Sequence, residues 1–193
     1  MNKLVLLLAA VIACVHSLPA VAASKFVLPK KAHNLSPGEV RKIYADHTWV
    51  WGQGGAYFGP NSKFIAVGIE GKNVSVATGR WLVTKGGRLC FDAYWSGRKF
   101  TGVKALTCFN HAQFNGQIFQ AKGMSGKWYT IKSAAAKPDD MLNQVVAGDQ
   151  VTCKFIDTAH LLKGHLSKAQ LLDLAHMKKA GAACAAPKKE ATT

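Results

Sequence analysis

Cys90 and Cys108, eighteen positions apart, constrain this chain more than any other feature. They sit in residues 79–111, GRWLVTKGGRLCFDAYWSGRKFTGVKALTCFNH, which read as three β-strands joined by two glycine-rich turns. Facing residues of an antiparallel hairpin share a constant index sum. Pairing Cys90 with Cys108 places Leu89 opposite Phe109, Phe91 opposite Thr107 and Trp95 opposite Val103, with 96–102 left as the connection. The large apolar side chains then share the face away from the sulfurs. A bridge closing this loop stabilises by about 3 kcal/mol, mainly by restricting the unfolded ensemble.

A disulfide requires an oxidising compartment, and the first residues supply a route to one. Met1-Asn2-Lys3 is a short cationic head, Leu4–Val15 is almost wholly apolar, and Ala20-Val21-Ala22 suits cleavage before Ala23. This predicts a signal peptide over 1–22 and a periplasmic or secreted protein. Val11-Ile12-Ala13-Cys14 is a rival signal, a loose lipobox that would place a lipid on Cys14. The apolar run before Cys14 is short and a better cleavage site lies beyond it, so cleavage is preferred. No apolar run reaches the roughly 20 residues that a membrane-crossing helix needs. The chain after the leader is long enough for one domain. With Cys14 removed, four cysteines remain and allow three pairings.

Residues 23–35 lack any period and are expected to be a flexible segment. Ser36-Pro37-Gly38-Glu39 is a helix start, with Ser36 as cap, Pro37 at the first helical position and Glu39 able to close a capping box. Val40, Ile43 and Tyr44 give the short helix one apolar stripe. From Thr48 the period becomes two. Strands at roughly ten-residue spacing continue to Lys132, separated by Gly, Asn and Ser turns. Residues 133–148 break the rhythm with an excursion and a helical turn near 139–145, and Gln150–Asp157 reads as one more strand. Ser167 and Gln170 form a second capping box, opening a helix to about Lys179. The expected architecture is mainly β. It is a single antiparallel up-and-down barrel or sandwich, lipocalin-like at most, over residues 36–184, with a short N-terminal helix, a C-terminal helix and a disordered tail at 185–193.

Few residue sets could carry chemistry. Cys153 and Cys184 form the second expected pair. His160 and His165 lie between them, but Cys-x₆-His-x₄-His lacks the paired Cys-x₂-Cys of a zinc site, so no metal and no cofactor are expected. Asp92 is the one acid in residues 71–138, which leaves no second carboxylate for glycosidase-type work. Asp92 and His111 are the only catalytic candidates, although residue 92 faces 106 and His111 falls several positions away. That same span carries eleven Lys or Arg, within a chain of net charge +15. Arg80, Arg88, Arg98, Lys99 and Lys104 are therefore candidates for an anionic ligand. Outside the cytoplasm that means anionic lipid, acidic polysaccharide or acidic protein, with nucleic acid not a resident partner. A basic surface that is merely solvated is the alternative for all five. Trp128 and Tyr129 are neighbours on one strand and must point to opposite faces, so one of them is outside or lines a groove. Nothing in the sequence speaks to oligomeric state.

The order of these features resembles a bacterial family of exported proteins catalogued as domain of unknown function 995. The matching pieces are Leu35-Ser36-x-x-Glu39, Thr48-Trp49-x-Trp51, Gly55-x-Tyr57-Phe58, Gly79-Arg80-Trp81, Arg88-Leu89-Cys90-Phe91, Thr107-Cys108-Phe109-x-His111 and Trp128-Tyr129. They cover residues 35–132. The resemblance implies a domain and a compartment; the family has no established activity to carry over. Gly79-x-Trp81 is also similar to the lipocalin Gly-x-Trp, as architecture only.

The leading expectation is an exported, non-enzymatic binding protein. Its ligand is an anionic envelope component or a small apolar molecule in a barrel mouth. A protein–protein module, such as an inhibitor of an envelope hydrolase, is the second reading. A hydrolase using Asp92 and His111 is the third.

Overall fold

Ser36 begins the ordered core. Its side chain accepts from the backbone of Glu39, whose carboxylate accepts in turn from the Ser36 backbone at 2.7 Å, the reciprocal box read from the sequence. The computed structural model describes residues 27–124 and 127–179. The leader expected at 1–22, Cys14, Cys184 and the tail at 185–193 lie outside them.

The elements run β1 (His33–Asn34), α1 (Pro37–Tyr44), β2 (His47–Trp51), β3 (Gly54–Phe58), β4 (Lys63–Glu70), β5 (Asn73–Val83) and β6 (Leu89–Gly97). They continue with β7 (Phe100–Phe114), β8 (Gln117–Lys122), β9 (Trp128–Lys132), a 3₁₀ turn (Met141–Gln144), β10 (Val145–Ala147), α2 (Thr152–Leu161) and α3 (Lys168–Lys179). The ten strands form one antiparallel sheet in the order β10-β2-β3-β4-β5-β6-β7-β8-β9, with β1 against the far half of β7. The meander curls into a half-barrel.

Its curvature can be read from ring contacts. Trp49 on β2 meets Phe109 on β7 with centroids 5.5 Å apart, although four strands separate β2 from β7 in the sheet. Only the inside of a curled sheet brings such strands together. Phe58, Phe64, Trp81, Leu89 and Phe91 fill that concave face, closed by Leu35, Val40 and Tyr44 around α1. The alternate residues Ile65, Val67 and Val76 face outward. They are covered by α2 and α3 through Phe155, Ala159, Leu162, Leu174 and Met177. The central strands are therefore buried on both faces, and all five residues of β3 are buried.

The register from Cys90 and Cys108 holds. They pair and form a disulfide, and Leu89↔Phe109, Phe91↔Thr107 and Trp95↔Val103 are paired with them. Four expectations are corrected. The connection 96–102 shrinks, because a register shift after Trp95 lets Gly97 pair with Phe100 and leaves only Arg98-Lys99 as the turn. His33–Asn34 is not loose but pairs with Ala112 and Gln113. Residues 145–147 of the excursion form a strand on the free edge of β2. Gln150–Asp157 is not a strand but opens α2. Alternating Val151, Cys153 and Phe155 mimicked a strand, whereas the buried set is Val151, Phe155, Ala159 and Leu162, a helical spacing. The Asp149 carboxylate accepts from the Val151 and Thr152 backbones and settles the start.

Candidate functional site

The inside of the half-barrel changes character along its length. Near α1 it is packed with aromatic rings, Phe64 stacked on Phe91 at 4.5 Å. Toward the other end the inward positions shrink to Ala66, Ala77 and Ala93, then to Gly68, Ser75 and the Gly97 that faces it. Small residues at three adjoining cross-strand positions leave space where a barrel would otherwise be filled. The result is an open groove of about 270 Å³ at the tips of the β4–β5 and β6–β7 hairpins. That is close to the lower end of ligand sites, about 300–1,000 Å³.

Its lining combines three chemistries. Arg98 and Lys99 form the basic β6–β7 turn, both exposed. The exposed Phe100 provides an apolar wall. Glu70, Asn73 and Ser75 supply a carboxylate, an amide and a hydroxyl. Gly97 is what lets the Phe100 ring lie across the strand end, because a Cβ there would sit 2.9 Å from the ring. A guanidinium and an ammonium side by side can hold an anionic group, and the ring can take an attached apolar portion. Glu70 can accept from an N–H or O–H of the same ligand.

A second polar cluster lies at the opposite end, inside the packed region. The Tyr44 hydroxyl is 3.0 Å from Nε2 of His111, and Gln120 Nε2 lies 2.9 Å from that same nitrogen. Gln120 also donates to Tyr44 and accepts from Tyr129 at 2.5 Å. Tyr44, His111 and Gln120 are buried. With two donors directed at Nε2, His111 is neutral and carries its proton on Nδ1. Burial pulls His111 down to about 4, the Phe109 carbonyl opposing it. Burial raises Tyr44 well above its ordinary value. A crevice lined by Tyr44, Trp49, Gln120, Ile131, Met141, Leu142 and Val145 reaches this cluster and has no room for a water molecule. These groups tie α1 to β7, β8 and β9 at this end of the half-barrel.

The structure distributes the residues singled out from sequence. Arg98 and Lys99 line the groove; Arg80, Arg88 and Lys104 do not. Arg80 is exposed on β5, Arg88 is half-buried before β6, and Lys104 is ion-paired with Asp92 at 3.1 Å. Asp92 and His111 do not form a pair. Alternation puts Asp92 on the outer face with Cys90, whereas His111 points inward to Tyr44. Tyr129 points inward and its neighbour Trp128 is half-buried on the other face. Cys153 on α2 is disulfide-bonded, and its expected partner Cys184 lies outside the described residues. No cluster of metal-ligating side chains occurs among the described residues. No helix among them is long and apolar enough to cross a membrane.

Sequence reasoning missed Glu70, Asn73, Ser75 and Phe100, and also Tyr44 and Gln120. One signal was readable: Gly68 and Ser75 fall opposite each other once the Gly71-Lys72 turn is accepted, and small residues facing across strands mark a gap.

A family model described as "Protein of unknown function (DUF995)" matches residues 9–151. It takes in all ten strands of the sheet and ends just before α2. No curated protein and no solved structure matches the chain.

Proposed function

The chain belongs to the DUF995 family, and on that premise we propose that it is an exported binding protein for an anionic envelope component with an apolar portion. The groove at the hairpin tips is the observation that carries this reading, because paired cations, an exposed ring and open volume coincide there. The Cys90–Cys108 bridge fits an oxidising compartment. The net charge of +15 draws anionic partners toward the surface and makes their capture salt-dependent. The groove then selects those with a segment that can rest on Phe100.

The test is titration calorimetry with dihexanoyl phosphatidylglycerol below its micelle concentration, against the choline counterpart. The glycerol lipid binds and the choline lipid binds at least about tenfold more weakly, since its quaternary ammonium cancels the headgroup charge and sets a like charge against Arg98 and Lys99. Arg98→Ala and Lys99→Ala each weaken binding several-fold, and Arg80→Ala leaves it unchanged. Equal binding of both lipids, or indifference to both groove substitutions, rules the reading out.

A further inference from the structure

The long strand β7 is paired along only part of its outer edge. On that side β8 covers it from Phe109 to Phe114, and the Gly123 N–H donates to the Cys108 carbonyl at 2.8 Å. Before Cys108 the strand continues without a neighbour there among the described residues, while β6 holds its other edge from Phe100 to Phe109.

The direction of the unpaired groups rests on two observations. Cys108 sends its carbonyl outward to Gly123. Its Cα lies 4.1 Å from that of Cys90, the short spacing of a pair that exchanges no backbone hydrogen bonds between its strands. In an antiparallel ladder, residues two apart direct N–H and C=O the same way. Lys104 and Leu106 therefore turn their N–H and C=O groups to the open edge, four groups in all. Their neighbours are unusually bare: Leu106 is 68% and Val103 52% exposed. An unpaired strand edge with an exposed apolar side chain on each face, Leu106 on one and Val103 on the other, is the template to which an extended chain adds.

We propose that the β7 edge at Val103–Thr107 is a docking site for an extended acidic segment of a partner protein, which joins the sheet as an antiparallel strand. Charge selects this occupant. Arg98 and Lys99 stand at one end of the edge, and Asp92, the one carboxylate facing this stretch from β6, is compensated by Lys104, which leaves the local balance positive. A second copy would bring another chain of net charge +15 against the same edge, with self-repulsion and only two hydrogen-bonding residues per strand to offset it. An incoming strand that alternates acidic and apolar residues would set its carboxylates on the outer face with Lys104 and its apolar side chains beside Val103 on the inner face. Residues 103–107 do not line the hairpin-tip groove, although Arg98 and Lys99 border both.

The experiment uses the purified protein and a capped peptide alternating glutamate with valine, monitored by amide NMR and hydrogen exchange. Binding slows exchange at the Lys104 and Leu106 amides. A peptide N-methylated at every second residue, with identical charge, binds about tenfold more weakly because it cannot complete the ladder. Leu106→Pro weakens binding similarly and keeps the fold, since that N–H points away from β6. Failure of the peptide to bind at low salt overturns the proposal. Equal binding of the N-methylated peptide also overturns it, reducing the effect to surface charge without any need for a folded variant. A β7-to-β7 dimer that excludes the peptide identifies the wrong occupant and overturns it as well.

Discussion

The Tyr44 hydroxyl lies 3.0 Å from Nε2 of His111, joining α1, packed inside the half-barrel, to β7, a strand that carries the disulfide. The contact spans 67 positions of sequence. It decides what His111 does: it is a neutral hydrogen-bond acceptor within the core and not the partner of Asp92.

This makes stability pH-dependent in a definite direction. The folded value of His111 is depressed to about 4 from the ordinary 6.5, so its neutral form stabilises fully above 6.5 and that stabilisation is lost as pH falls through 4. The whole effect amounts to about 3 kcal/mol. Urea unfolding at neutral and acid pH should show His111→Gln losing less stability than the wild type over this interval. Parallel losses in the two proteins would refute the assignment.

Reduction of Cys90–Cys108 should lower the unfolding free energy by about 3 kcal/mol, because the bridge closes a loop of 18 residues. Mass mapping without reductant should recover the linked peptides, and free thiols at both positions would contradict the register.

Phe91 stacks on Phe64 at 4.5 Å and an interplanar angle of 7°, and it also meets Phe58 and Phe109 within the same cluster. Phe91→Ala should cost about 3–5 kcal/mol, as for other buried aromatic truncations. Chemical denaturation measures it. Leu82→Ala on the outer face, where Leu82 is 46% exposed, should cost far less.

Asp149→Ala should destabilise by about 1 kcal/mol, the usual cost of a lost N-terminal helix cap. Phe155→Ala should cost several times as much, since Phe155 is fully buried between α2 and the sheet. Near-equal losses would mean that α2 is not docked as described.

Much of this fold is written locally. The capping boxes at Ser36–Glu39 and Ser167–Gln170 depend on residues three apart and form as read. The β6–β7 register needs only that two cysteines meet. Local reading failed at α2 because a three-residue alternation cannot be told from a helical turn until the partner face is known. The Asp149 cap was the overlooked cue.

The candidate site was less legible. Arg98 and Lys99 were singled out along with Arg80, Arg88 and Lys104, since charge in a sequence carries no address. What separates the first two from the rest is the shrinking of the barrel interior to Gly68 and Ser75, residues that attract no notice one at a time.

The sequence by itself determined the meander, the disulfide hairpin, the helix starts and the basic character. Each arises from contacts or propensities within a few residues, or from one covalent constraint. Only the tertiary structure decided that Asp92 and His111 face opposite ways, that Tyr44 and Gln120 hold His111 neutral, and that one edge of β7 before Cys108 has no partner among the described residues. These outcomes depend on how far the sheet curls and where β8 leaves β7, and no single stretch of chain encodes either.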